Sequence, residues 1–151
     1  MNGINCGGLR LGEMMFSKDT HILVVDDSVN IRRVIVDGLT RLGFRKITTA
    51  GEVTEGYGKL SFFAHSPTPV QLVLSDLNMP GMSGIDFLKK VRSDPEFSAL
   101  PFILITTEGE KGYVIEAAVS GVSAYVIKPF NLDTLAKRLE DAWKKHSPEK
   151  I

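Results

Sequence analysis

Three aspartates, two threonines and one lysine each stand at the end of a short apolar run. Asp26 and Asp27 close "ILVVDD", Asp76 closes "QLVLSD", Thr106 and Thr107 close "FILITT", and Lys128 follows the apolar part of "AYVIKP". Three carboxylates at close quarters repel, so at neutral pH they either raise a pKa or hold a cation. A hard ion with oxygen ligands is the natural occupant. Mg²⁺, which keeps several waters and takes only a few carboxylates, suits a site that must also admit a phosphate. A lysine beside the carboxylates can pair with one of them at rest or with a phosphoryl oxygen in use. A threonine can donate its hydroxyl to that same group. Together these are the parts of phosphoryl transfer to a carboxylate: nucleophile, metal, charge clamp and donor.

Taken singly, each residue has an ordinary explanation. Asp26 and Asp27 complement the positive end of a helix, and Lys128 is a strand-end lysine. Their order sets them apart: acid pair, acid, hydroxyl and lysine, at four strand ends.

Bringing those ends together requires a parallel sheet, because ligands of open α/β sheets bind outside the carboxyl ends of the strands. From His21 onward the sequence alternates short apolar runs with helix-period segments, the pattern of successive βα units. The runs are "ILVV", "KITT", "LVLS", "FILI" and "AYVI". Their β-branched content predicts strands covered on both faces, with "KITT" the weakest. After Ser28, a predicted N-cap, Ile31, Val34, Ile35, Leu39 and Leu42 recur at helical spacing up to Gly43. "VTEGYGKLSFFAH" reads as a short or mobile helix, since Gly56 and Gly58 each cost about 1 kcal/mol relative to alanine. "GIDFLKKVRSD" stops before Pro95 and "EKGYVIEAAVSG" at Gly121. In "LDTLAKRLEDAWKKH", Leu132, Leu135, Leu139, Ala142 and Trp143 form one stripe, read as core. The expectation is an α/β fold in which a βα unit occurs five times.

At 151 residues the chain fits one domain. Eighteen basic and eighteen acidic side chains cancel, which speaks against a nucleic-acid or membrane-surface binder. A single cysteine, Cys6, excludes an internal disulfide, and no Cys/His cluster offers a zinc site. No apolar run approaches the roughly 18 residues of a membrane span, and the start lacks the order of a secretory signal. Residues 1–19 read as a flexible, glycine-bearing arm, 20–146 as the folded domain and 147–151 as a short tail. The expected setting is the cytoplasm.

In order along the chain, "LVVDDS", "LSDLNMPGMSGIDFL", "LPFILITTE" and "GVSAYVIKPF" resemble the receiver domain of bacterial response regulators, and within it the single-domain chemotaxis regulators. The similarity spans roughly His21 to His146. It implies a doubly wound, flavodoxin-like (βα)5 fold with a five-stranded parallel sheet of strand order 2-1-3-4-5. It implies that a sensor histidine kinase phosphorylates Asp76. Asp27, Asp76 and the backbone carbonyl of Asn78 would bind Mg²⁺ directly, with Asp26 acting through a metal-bound water. Thr106 and Lys128 would contact the phosphoryl group, and the bond from Lys128 to Pro129 would be cis. Tyr125 would rotate inward as Thr106 moves, changing the face built by the fourth helix, fifth strand and fifth helix. Asn78 and Glu108 stand where the family tunes self-dephosphorylation.

The resulting expectation is a monomeric phosphorylation switch rather than an enzyme. Its downstream target is a flagellar motor switch, a phosphotransfer protein or another effector. Two alternatives stay open. One is a phosphohydrolase with an aspartyl-phosphate intermediate, although such enzymes commonly carry D-x-D where this chain has Asp76, Leu77 and Asn78. The other is a receiver fragment of a longer transcriptional regulator, although "SPEKI" is too short to be an output domain and so argues against a transcription factor.

Overall fold

The computed structural model describes residues 15–107 and 111–146. Residues 1–14 of the expected arm, the 147–151 tail and Glu108 lie outside the described residues. The element order is β1 (His21–Val25), α1 (Val29–Arg41), β2 (Lys46–Ala50), α2 (Val53–Phe63), β3 (Leu72–Asp76), α3 (Gly84–Ser93), β4 (Phe102–Thr106), α4 (Lys111–Val119), β5 (Ala124–Ile127) and α5 (Leu132–His146). All four strand pairings are parallel, and the sheet order is β2-β1-β3-β4-β5. This is the doubly wound (βα)5 architecture.

Strand alternation explains the continuous apolar runs. Successive side chains point to opposite faces, and both faces are covered. Leu23, Val25, Val73, Phe102 and Leu104 join one buried cluster with Val53 and Leu60 of α2 and Phe87, Leu88 and Val91 of α3. Ile22, Val24, Leu72, Leu74, Ile103 and Ile105 join another with Ile35 and Leu39 of α1 and Leu135, Leu139 and Ala142 of α5. The edge strand β2 is only half buried, in keeping with its polar sequence. Of the stripe on α5, Leu135, Leu139 and Ala142 are buried core and Trp143 packs partly against them, while Leu132 stays partly exposed.

The second helix departs from expectation. It runs 11 residues through both glycines. A Cβ at Gly56 would meet Val25 Cγ2 at 3.0 Å and Phe87 Cζ at 3.5 Å, so the absent side chain lets α2 lie close on β1. Tertiary packing there offsets the local propensity cost. Gly58 faces open space.

Within the segment read as an arm, Phe16 is buried edge-on against Trp143, and the Lys18 ammonium donates to the Leu42 carbonyl at 2.8 Å. No helix among the described residues is long and apolar enough to cross a membrane.

Candidate functional site

Parallel strands in register bring their ends together. Asp76, the last residue of β3, pairs with Ile105, so Thr106 stands one step further along the neighbouring strand. Thr106 in turn pairs with Ile127, just before Lys128. Asp26 follows β1 directly, and its amide continues the ladder by donating to the Ala50 carbonyl at 3.1 Å. The sheet therefore delivers the acids, the threonine and the lysine to one edge without any long-range loop.

One carboxylate oxygen from each of Asp26, Asp27 and Asp76 lies within 4.8 Å of the other two. Asp26 is 1% exposed and Asp76 6%, whereas Asp27 faces solvent. Lys128 Nζ donates to Asp76 Oδ1 at 3.1 Å and to Asp26 Oδ2 at 3.3 Å. Asp26 Oδ1 accepts the Ser28 amide at 2.8 Å. Burial and the neighbouring Asp26 carboxylate push the Asp76 carboxyl above its ordinary value, against the opposing pull of Lys128. With one ammonium among three carboxylates, the donor set is all oxygen and in excess of negative charge. That chemistry fits a hard divalent cation such as Mg²⁺.

The backbone beyond Asp76 is shaped by a close approach. Gly84 N–H donates to the Leu77 carbonyl at 2.8 Å, and a Cβ at Gly84 would lie 2.2 Å from the Asp76 carbonyl oxygen. Glycine is the residue that fits at the start of α3. Ser83 caps that helix, its hydroxyl accepting the Asp86 amide while Asp86 accepts the Ser83 amide.

The other residues expected at the site fall as follows. Thr106 is buried, and its carbonyl accepts the Lys128 amide at 2.6 Å. Thr107 and Asn78 are exposed, Asn78 on the loop two residues after Asp76. The Lys128–Pro129 peptide is cis. Tyr125, opposite Leu104 in the β4–β5 pairing, is partly buried against the cluster on the α2–α3 side.

Two contributors escaped the sequence reading. Ser28 was read as a cap, and its amide also fastens Asp26. Arg32, in the first turns of α1, donates from Nη1 to the Asp26 carbonyl at 2.5 Å. The available signal was position alone: an arginine six residues past the acid, where a helix entering from the strand end turns back over it.

Comparison with known proteins adds to this geometry. The family model of the response regulator receiver domain matches residues 22–140. The chain is 45% identical to chemotaxis protein CheY1 of Helicobacter pylori over 119 residues, 79% of this chain and 93% of that one. It is 38% identical to chemotaxis protein CheY-3 of Vibrio cholerae over 128 residues, 85% and 95% of the two chains. Among solved structures, chemotaxis protein CheY4 of Vibrio cholerae superposes with a TM-score of 0.71 at 31% identity, covering 82% of this chain and 98% of that one.

Proposed function

The chain belongs to the response regulator receiver domain family, and on that premise we propose that it is a phosphorylation switch whose acceptor is Asp76. The observation that carries this reading is the Asp76 carboxylate itself: buried at a central strand end, crowded by Asp26 and Asp27, and met by Lys128 Nζ at 3.1 Å. The donor is a sensor histidine kinase. A carboxylate oxygen of Asp76 forms the new P–O bond as the P–N bond to the kinase histidine breaks, which requires Asp76 to be ionised.

Asp27, Asp76 and the Asn78 carbonyl would hold Mg²⁺ directly, with Asp26 reaching it through water. The ion supplies neutralisation of the charge that gathers on the phosphoryl oxygens. Lys128 exchanges its resting partner, the Asp76 carboxylate, for a phosphoryl oxygen, and the Thr106 hydroxyl donates to another. Asn78 and Glu108 tune the lifetime of the acyl phosphate. The chemistry is confined to the protein's own phosphorylation and dephosphorylation.

The output is a population shift between two packings, favoured to the extent that the phosphoryl group binds one of them better. Movement of Thr106 toward that group makes room for Tyr125 to rotate inward. The face that changes carries exposed Tyr113 and Val119 on α4 and Ile127 on β5. A groove of about 480 Å³ beside it is lined by Tyr125, Ile127, Pro129 and Arg138. The chemotaxis names of the relatives favour a flagellar motor switch component as the target over a phosphotransfer protein or another effector. The reading places the protein in the cytoplasm, as a monomer.

Incubation with acetyl phosphate and Mg²⁺, followed by intact mass measurement, tests the acceptor. Wild type gains one base-labile phosphoryl group and Asp76→Asn gains none. A wild type left unlabelled under conditions that label a known receiver would overturn the reading.

A further inference from the structure

Asp26 and Asp27 are neighbours in sequence but are held in different ways. The Asp26 side chain is fastened at both oxygens, by the Ser28 amide and by Lys128. The Asp27 side chain is exposed and makes no hydrogen bond or ion pair with the described residues. Its aim therefore depends on the backbone that carries it. The amide nitrogen of Asp27 shares a peptide plane with the Asp26 carbonyl, the group that accepts Arg32 Nη1 at 2.5 Å.

Arg32 is itself well placed to hold that plane. Its amide donates to the Ser28 carbonyl at 2.9 Å, which seats it in the first turns of α1. Its guanidinium reaches over Gly51, where a Cβ would lie 3.4 Å from Nη1 and 3.7 Å from Glu55 Oε1. Glu55 Oε1 accepts the Gly51 amide at 2.8 Å, and Lys59 pairs with Glu55 at 3.2 Å. The Gly51 amide and Lys59, with a smaller contribution from Arg32, hold the Glu55 carboxyl below its ordinary value.

We propose that Arg32 is a positioning residue for the metal site, setting the aim of Asp27 by fixing the Asp26–Asp27 peptide. The proposal rests on the reading of this site as the Mg²⁺ centre of a phosphorylation switch. Its sign separates it from a simple charge effect. A cation near three carboxylates opposes Mg²⁺, so deleting its charge alone would tighten metal binding. Deleting a positioning contact loosens it.

Calorimetric titration of the full chain with MgCl₂ reads this directly. Arg32→Met binds Mg²⁺ about tenfold more weakly than wild type, the scale of effect seen when groups that orient metal ligands are removed. Arg32→Lys, which keeps a donor, falls between the two. Labelling of Arg32→Met by acetyl phosphate is slow at low Mg²⁺ and recovers at saturating Mg²⁺. Equal or tighter Mg²⁺ binding by Arg32→Met overturns the proposal while leaving the switch reading intact. A wild type that takes up neither Mg²⁺ nor a phosphoryl group removes both. Circular dichroism and thermal unfolding check that the variants fold. Should Arg32→Met fail to fold, Arg32→Gln, whose shorter amide falls short of the Asp26 carbonyl, is judged by the same criterion.

Discussion

The two edges of the sheet both bury polar groups, yet they balance them in opposite ways. At the amino edge, His21 is 5% exposed and fully matched. The Thr68 carbonyl can only accept, so Nδ1 carries the proton that it donates there at 2.8 Å. Nε2 meets the Thr48 hydroxyl at 2.7 Å. Ser123 at the same edge accepts the Phe102 amide at 2.9 Å and meets His146 Nδ1 at 2.6 Å. At the carboxyl edge, three carboxylates gather and one ammonium pairs with only two of them, Asp26 and Asp76. An apolar groove of about 590 Å³, lined by Leu60, Val70, Phe97 and Leu100, opens at the amino edge, away from the acids. Polar burial that closes on itself is architecture. A charge excess left open is where a ligand and a reaction belong, whatever the size of the nearest cavity.

The contrast can be broken at either end. The first test is at Asp27, whose exposed carboxylate would serve the proposed metal. Asp27→Ala lowers Mg²⁺ affinity by tenfold or more in the same calorimetric titration, and stability in EDTA hardly changes. An unchanged affinity would mean that the direct ligand is another group. At the opposite edge, His21→Ala should cost about 2–3 kcal/mol in urea unfolding, because it strands the Thr68 carbonyl and removes ring packing against Phe63. The phosphoryl mass gain should survive. Loss of labelling in a protein that still folds would erase the distinction between the edges.

The smallest effect concerns Asp76 and has a fixed sign. Its carboxyl titrates higher in the fold than in the unfolded chain, so at neutral pH the fold holds the ionised form at a cost the unfolded chain does not share. Asp76→Asn removes that cost, and in EDTA at pH 7 it unfolds a few degrees above wild type. The difference shrinks as pH falls through the raised folded value, and it vanishes below the ordinary carboxylate range. A midpoint lower than wild type at pH 7 would show that Lys128 outweighs burial and Asp26.

What was legible beforehand follows the same division. The strands and four of the helices could be read because covered parallel strands demand unbroken apolar runs, and helices demand their own period. The acids, the threonine and the lysine could be read because strand ends converge in any parallel sheet. The full length of α2 was hidden, because Gly56 counts against a helix locally and its reason, Val25 and Phe87 pressing close, lies elsewhere in the chain. Arg32 was hidden because it acts on a backbone carbonyl, and any residue supplies one of those.

The contact between Phe16 and Trp143 carries a practical consequence. The ring centroids are 5.1 Å apart and the planes 79° to each other, near the end of α5 and just ahead of β1. Trp143 is the only tryptophan in the chain. The protein's intrinsic emission is therefore a gauge of how the segment before the first strand seats on the last helix, at the amino edge. A spectroscopist following indole fluorescence would be watching the quiet end of the molecule, and an introduced fluorophore near the acids would be needed to watch the other.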